Sequence, residues 1–384
     1  MGLYLDHNAS TPPAQEVVEA MLSWLGSAHS NPHSEHLHAR RADKAIQSAR
    51  SEIAELIGAA PEDIVLTSGA TESNNLVLQG YLSNISGPKV LAVSTIEHKS
   101  VLETSIALGR QGATIISIPV DAVGRVNPDQ IISMVQQNNN VIEPLISVMH
   151  SNNEIGTIQP ILEIAKRTHL IGGFLHTDAT QSVGKIPMNV MDENIDFMSI
   201  SSHKIYGPTG IGALYIAPSL KGRLRPIMYG GGQQEGLRPG TVPPFLAVGF
   251  GRACRIAAER MESDARHYTN VVNIFLSSIQ ASGIDFVTLG DDDYALPGLL
   301  CLRFPGIDGS DLLNALGDDL YAATGSACTS GELKSSHVLK AIGLNEEQAS
   351  EVIRLGFGRA TSASDAQNAA QIISTKIHYL KNRQ

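Results

Sequence analysis

The chain has 384 residues, 42% hydrophobic and 17% charged, which is enough apolar material for one large or two ordinary domains. Its formal net charge of −10 is spread without runs of five like charges, which argues against a nucleic-acid surface. Three widely spaced cysteines, Cys254, Cys301 and Cys328, exclude a disulfide framework and suit a reducing compartment. Short apolar runs at 64–67, 89–95, 114–118, 144–150, 173–177, 196–200 and 212–216 read as strands. Between them, 71–85, 98–110, 128–137 and 160–171 read as amphipathic helices. The alternation predicts an α/β fold with a mainly parallel sheet covered by helices on both faces. Runs such as Val90-Leu91-Ala92-Val93 are apolar throughout, as expected of strands buried on both sides. Residues 217–244 form a Gly- and Pro-rich break, and 245–282 read as one long helix. Beyond 283, strands at 298–303 and 353–357 and helices at 309–317 and 364–382 read as a smaller α/β domain. The N-terminus shows no basic segment followed by an apolar one, and no apolar run reaches the ~20 residues of a membrane helix. A cytoplasmic protein that binds neither membrane nor nucleic acid is the expectation.

In open α/β sheets, ligands sit beyond the carboxyl ends of the strands, and the polar residues expected there are distinctive. The stretch Ser201-Ser202-His203-Lys204-Ile205-Tyr206-Gly207-Pro208 follows one strand, and His176-Thr177-Asp178-Ala179-Thr180-Gln181 ends another. A lysine and an aspartate at neighbouring strand ends are the layout that holds pyridoxal phosphate (PLP). The lysine forms a Schiff base, and the acid keeps the pyridine nitrogen protonated. Ser68-Gly69-Ala70-Thr71 opens a helix after a strand, so small residues and free helical N–H groups offer an anion cradle there; an ordinary capping turn is the alternative. Ser201 and His203 are further phosphate candidates. His98 follows a strand and is either a ring-facing proton carrier or a helix cap. Lys99 is a rival Schiff-base lysine, but the neighbouring Glu97 and a helix start suggest a solvated setting. Asn153 and Gln181 are either amide contacts to cofactor or substrate or polar turn residues. Arg354 lies in an apolar strand and needs a partner, either a substrate carboxylate or a structural acid. Cys328 sits in the small, polar segment Gly325-Ser326-Ala327-Cys328-Thr329-Ser330 and is a candidate nucleophile, whereas Cys254 and Cys301 read as core residues. The cluster His29, His33, His36 and His38 matches no zinc spacing, so no metal site is expected.

Taken together, Gly69-Ala-Thr-Glu72, Glu97-His98, Asn152-Asn-Glu-Ile-Gly156, Asp178-Ala-Thr-Gln181, Ser202-His-Lys-Ile-Tyr-Gly-Pro208, Arg238-Pro-Gly-Thr241 and Gly325-Ser-Ala-Cys-Thr-Ser330 resemble the PLP-dependent cysteine desulfurases of the NifS/IscS type. The resemblance runs from Tyr4 to about Thr361. It implies a type I PLP fold, with a large cofactor domain of residues 13–260 and a small domain of 1–12 and 261–384 that carries the cysteine loop. It also implies a homodimer, with L-cysteine as substrate and an iron–sulfur scaffold or sulfur carrier as acceptor. By family pattern Lys204 is the Schiff-base lysine, His98 stacks on the ring, Asp178 pairs with the ring nitrogen and Gln181 meets the ring hydroxyl. Ala70, Thr71, Ser201 and His203 hold the phosphate, joined by Thr241 of the partner subunit. Asn153 and Arg354 bind the substrate carboxylate, and Cys328 takes the sulfur. A selenocysteine lyase or aminotransferase on the same scaffold, and a non-catalytic sulfur carrier, are the competing readings.

Overall fold

The computed structural model describes residues 2–26, 30–138, 141–324 and 336–382. The first part of the chain runs β1 (Leu3–Tyr4), α1 (Gln15–Leu25), α2 (Leu37–Ile57), β2 (Ile64–Thr67), α3 (Ala70–Asn84), β3 (Val90–Ser94), α4 (Lys99–Arg110), β4 (Thr114–Ile118), α5 (Pro128–Gln136), β5 (Leu145–Ser147), α6 (Ile161–Leu170), β6 (Phe174–Asp178), β7 (Phe197–Ser201) and β8 (Gly212–Ile216). It continues with α7 (Pro244–Ala281), β9 (Val287–Leu289), β10 (Leu299–Arg303), α8 (Gly309–Leu316), β11 (Leu320–Tyr321), β12 (Ala323–Thr324), α9 (His337–Ala341), α10 (Glu346–Ser350), β13 (Val352–Gly356) and α11 (Ala363–Lys381).

Seven strands form the main sheet in the order β2-β8-β7-β6-β5-β3-β4. From β4 across to β7 all neighbours are parallel; β8 runs antiparallel to both its neighbours, β7 and β2, so β2 runs with the rest of the sheet. The mainly parallel sheet is therefore as expected. Every residue of β3, β7 and β8 is buried, whereas β4 at the rim is partly exposed. The pleat sends alternate side chains to opposite faces. Leu91 and Val93 join a core with α3 and α4, while Ala92 joins a larger one with α2 and α7. On β7, Phe197 faces the first of these cores and Met198 and Ile200 face the second.

Helices α1 and α2 have no counterpart in the elements read from the sequence. The buried stripe of α2 is rich in alanine, with Ala39, Ala42, Ala49 and Ala54 beside Ile46, Ile53 and Ile57, in a segment otherwise crowded with charged residues, so it reads as polar overall. Small residues serve it because α7 comes very close: a Cβ on Gly251 would lie 2.7 Å from the Cα of Ala49.

The C-terminal part builds a four-stranded antiparallel sheet, β12-β13-β10-β9, with its own core against α11 and the second half of α7. Leu5 from the N-terminal strip belongs to this core, and β1 pairs with β11. Helix α7 is continuous across residue 260, with Ala247, Phe250 and Cys254 in one core and Val271, Phe275 and Ile279 in the other. A smaller cluster joins the two parts, in which Ile96, Met149 and Ile155 meet Cys301, Val338 and Val352.

Candidate active site

The carboxyl ends of β3, β5, β6 and β7 lie along one rim of the parallel sheet, and the loops leaving them carry His98, Asn153, Asp178 with Gln181, and Ser201 with Lys204. All of these side chains line one cavity of about 550 Å³, together with Ala70, Thr71, His203 and Arg354. Thr241 is exposed and stands apart from the residues that line this cavity. Cys328 lies outside the described residues.

Lys204 sits in a short helical turn directly after β7. Its Nζ donates to the carbonyls of Asn8 at 2.6 Å and Ala9 at 2.8 Å. Asp178, the last residue of β6, accepts from Asn74 Nδ2 at 2.7 Å and from the Thr180 amide at 3.0 Å. The same Asn74 amide group donates to Ser100 Oγ at 2.9 Å. Ser100 in turn caps back onto His98: its amide donates to His98 Nδ1 at 3.1 Å, with Oγ 2.8 Å from the same nitrogen. An Nδ1 that accepts leaves the neutral ring with its proton on Nε2. His98 thus caps α4 and at the same time lines the cavity. Burial, the largest cause, pushes its pKa down against the pull of Asp178.

The turn before α3 is shaped for close approach. Gly69 has φ of +151°, and a Cβ on Gly212 would lie 2.5 Å from the Ile200 carbonyl oxygen and 2.7 Å from the Gly69 Cα. Glu72 holds the turn by accepting from the Ser68 amide at 2.7 Å, and Arg238 in turn binds Glu72 at 2.8 and 3.2 Å. The start of α3 lines the cavity beside Ser201 and His203, and because the first amides of a helix have no partner within it, this set of donors suits a phosphate. Burial holds His203 down to about 4, so its ring is neutral at pH 7.

Arg354 lies in the middle of β13 and is 3% exposed. Its Nη2 pairs with Asp6 Oδ1 at 2.8 Å and its Nη1 donates to the Asn153 carbonyl at 2.9 Å. The structural acid expected as one alternative is thus present, while the guanidinium still reaches the cavity.

The expectation that Glu97 marks a solvated stretch beside Lys99 is wrong. Glu97 is 0% exposed, and its Oε1 accepts from Ser94 Oγ and from the Met149 amide, both at 2.6 Å. Burial pushes its pKa up to about 8, so the buried acid is mainly protonated at neutral pH. Asn8, Asn74, Asp6 and Lys185 also shape the site without having been singled out from the sequence. Asn74 had a usable signal: it follows Thr71 by three residues on one helix, so both lie on the same face. Asn8, Asp6 and Lys185 had none, because their partners are distant in the chain or lie across a turn.

A family model described as aminotransferase class-V matches residues 3–368, and the chain belongs to that family. Within it, the chain is 42% identical over 383 residues to "Cysteine desulfurase IscS" of Rickettsia typhi (strain ATCC VR-144 / Wilmington), covering 99% of this chain and 92% of the relative. Among solved structures, "NIFS-LIKE PROTEIN" superposes with a TM-score of 0.91 at 31% identity, covering 99% of this chain and 100% of the other. "SspA in complex with cysteine" superposes with a TM-score of 0.81 at 35% identity, covering 92% and 98%.

Proposed function

We propose that this protein is a PLP-dependent cysteine desulfurase. It takes sulfur from L-cysteine onto Cys328 as a persulfide and passes it to a protein acceptor, such as an iron–sulfur scaffold or a sulfur carrier. The observation that carries this reading is the meeting of Lys204 and Asp178, at the ends of adjacent parallel strands, in one cavity with the α3 N-terminus. PLP bound there supplies an electron sink conjugated to the α-carbon of the amino acid. Lys204 holds the cofactor and then exchanges the α-proton through Nζ. Asp178, kept in place by Asn74 and the Thr180 amide, is the acceptor for a protonated ring nitrogen. With the cofactor bound, Gln181 would donate to the ring oxygen, His98 would meet the ring, and Ala70, Thr71, Ser201 and His203 would hold the phosphate. Asn153 and Arg354 receive the substrate carboxylate, with Arg354 the charged member. The relative solved with cysteine points to the same substrate. The overall exchange is balanced: L-cysteine and the Cys328 thiol give L-alanine and a Cys328 persulfide. The thiolate attacks the substrate sulfur as the Cβ–S bond breaks, and a proton is delivered to the carbon.

The working unit we propose is a homodimer, with Thr241 of the partner subunit completing the phosphate site. We place the protein in the cytoplasm, in keeping with its three widely spaced cysteines. Among the described residues, no helix is long and apolar enough to cross a membrane.

Two substitutions test the reading. Lys204→Ala should abolish the visible absorption of protein reconstituted with PLP. Cys328→Ser should keep that absorption but lose alanine and sulfide formation from L-cysteine by at least about 100-fold. An aminotransferase or selenocysteine lyase would retain turnover after the cysteine change, so sulfide release that survives Cys328→Ser rules the desulfurase reading out.

A further inference from the structure

Lys185 is a cation whose role the site chemistry above leaves open. It sits in the turn after β6, four residues past Gln181. Its side chain is half-buried, with protein packed around its ammonium. Its Nζ donates to Gln181 Oε1 at 3.2 Å. That same oxygen accepts from Asn8 Nδ2 at 3.2 Å, and Gln181 Nε2 donates to the Asn8 carbonyl at 3.0 Å. The Asn8 carbonyl is the group that Lys204 Nζ meets at 2.6 Å. Two lysines are therefore joined by a short relay, Lys185 to Gln181 to Asn8 to Lys204.

This arrangement decides the orientation of the Gln181 amide. Two donors converge on one atom, so that atom is the oxygen, and the Nε2 group keeps a second hydrogen for an acceptor in the cavity. The arrangement also has an electrostatic consequence. Among the described residues, no carboxylate lies within ion-pair reach of Lys185. The charged groups that act on it are Lys204 from the turn after β7 and Arg354 from β13, while Lys185 itself acts on His7 from the N-terminal strip. Burial and these two like charges depress its pKa to about 7. An enclosed cation without a counter-charge is costly, and an anionic ligand offsets that cost. Lys204, for its part, faces His98 and His203 as well as Lys185.

We propose that Lys185 is a positioning residue of this site: its ammonium fixes the Gln181 amide and supplies, through that amide, the positive charge that complements an anionic ring oxygen and favours the neutral form of an imine at Lys204. The inference rests on the proposed PLP reading and extends it to a residue behind the cavity wall. Conversion of the Lys204 ammonium to a neutral imine would remove one of the two cations that depress Lys185, so loading the site in that form would strengthen the charge on Lys185. Removing that charge makes the protonated imine easier to hold, so its titration midpoint rises.

The test is a pH titration of the visible band of the reconstituted protein in three variants, alongside the affinity of each apoprotein for PLP. Lys185→Met removes charge and donor, Lys185→Gln keeps a donor without charge, and Lys185→Arg keeps the charge. The midpoint should rise by about one pH unit in K185M and K185Q and stay near the wild-type value in K185R. Cofactor affinity should fall several-fold in the two neutral variants. The proposal is overturned if K185M or K185Q, folded by circular dichroism, titrates with the wild-type midpoint. It is equally overturned if K185R shifts as far as the neutral variants, since packing and not charge would then be responsible. If wild-type protein takes up no PLP at all, the cofactor reading itself has failed, which is a separate and recognisable result.

Discussion

At the scale of single residues, burial shifts several ionisable groups in and around the site toward their neutral forms. Burial depresses His7, His176 and His203 to about 4, and raises Glu97 to about 8 and Glu154 to about 7. The two kinds of shift act on opposite sides of neutrality. A histidine with a depressed pKa contributes stability that is present above its unfolded value and is lost as pH falls toward its folded value. A carboxyl with a raised pKa contributes stability that is full below its unfolded value and is lost as pH rises through its folded value. Glu97 therefore destabilises the fold progressively between the ordinary glutamate value of 4.5 and about 8. Glutamine mimics the protonated acid and keeps an oxygen for Ser94 and Met149. Glu97→Gln should match wild type near pH 5 and gain on it by up to about 1 kcal/mol per pH unit on the way to pH 8. Chemical denaturation across that range measures the difference. A constant gap between the two proteins would mean that Glu97 is ionised in the folded state.

At the scale of elements, the loop before α7 protects the edge of the main sheet. β2 is an edge strand, and the side chain of Gln234 takes the place of a missing partner. Its Oε1 accepts from the Leu66 amide at 2.7 Å and its Nε2 donates to the Leu66 carbonyl at 2.8 Å. Arg50 Nη2 adds a third bond to Oε1 at 2.8 Å. Gln234 and Glu235 adopt φ of +50° and +59° to make this docking, a left-handed conformation that ordinary residues adopt at some cost. Gln234→Ala should lower stability by about 1–2 kcal/mol and speed amide exchange at Leu66, read by thermal melting and hydrogen exchange. Unchanged exchange at Leu66 would show that the side chain is not the strand's partner. The parallel strands themselves were legible because continuous apolar runs bounded by polar ends have few other uses. Helix α2 was not, because its buried stripe is largely alanine among many charged residues, so the segment reads as polar overall. The same division runs through the site. Lys204, Asp178, His98 and Arg354 announce themselves as polar residues at the ends or centres of apolar runs. Asn8 and Lys185 matter only through contacts that the folded topology creates. Glu97 was misread because a lone acid beside a lysine looks solvated until the neighbouring strands close over it.

At the scale of the whole molecule, helix α7 is the part shared by the two cores, and a buried ion pair near its middle ties it to the site. Asp264 is 4% exposed and accepts from Arg359 Nε at 2.6 Å and from Arg260 Nε at 3.3 Å. The Arg359 guanidinium lies 4.1 Å from the centre of the Tyr206 ring, and its amide donates to Tyr206 Oη at 2.8 Å. Tyr206 Oη also lies 3.2 Å from Tyr268 Oη on α7. The long helix, the segment after β13 and the turn that presents Lys204 thus converge on one acid. Asp264→Ala would leave the Arg359 charge, whose side chain is only 13% exposed, without its carboxylate, which costs about 3 kcal/mol. Arg260 is more than half exposed, so Arg260→Ala should cost about 1 kcal/mol or less. Because α7 belongs to both cores, the loss at Asp264 should lower the melting of the whole chain as one transition. Calorimetry of the two variants against wild type measures both points. If Asp264→Ala costs no more than Arg260→Ala, or if only the C-terminal part melts early, then α7 does not transmit stability between the sheet that carries the site and the smaller sheet that supplies Arg354.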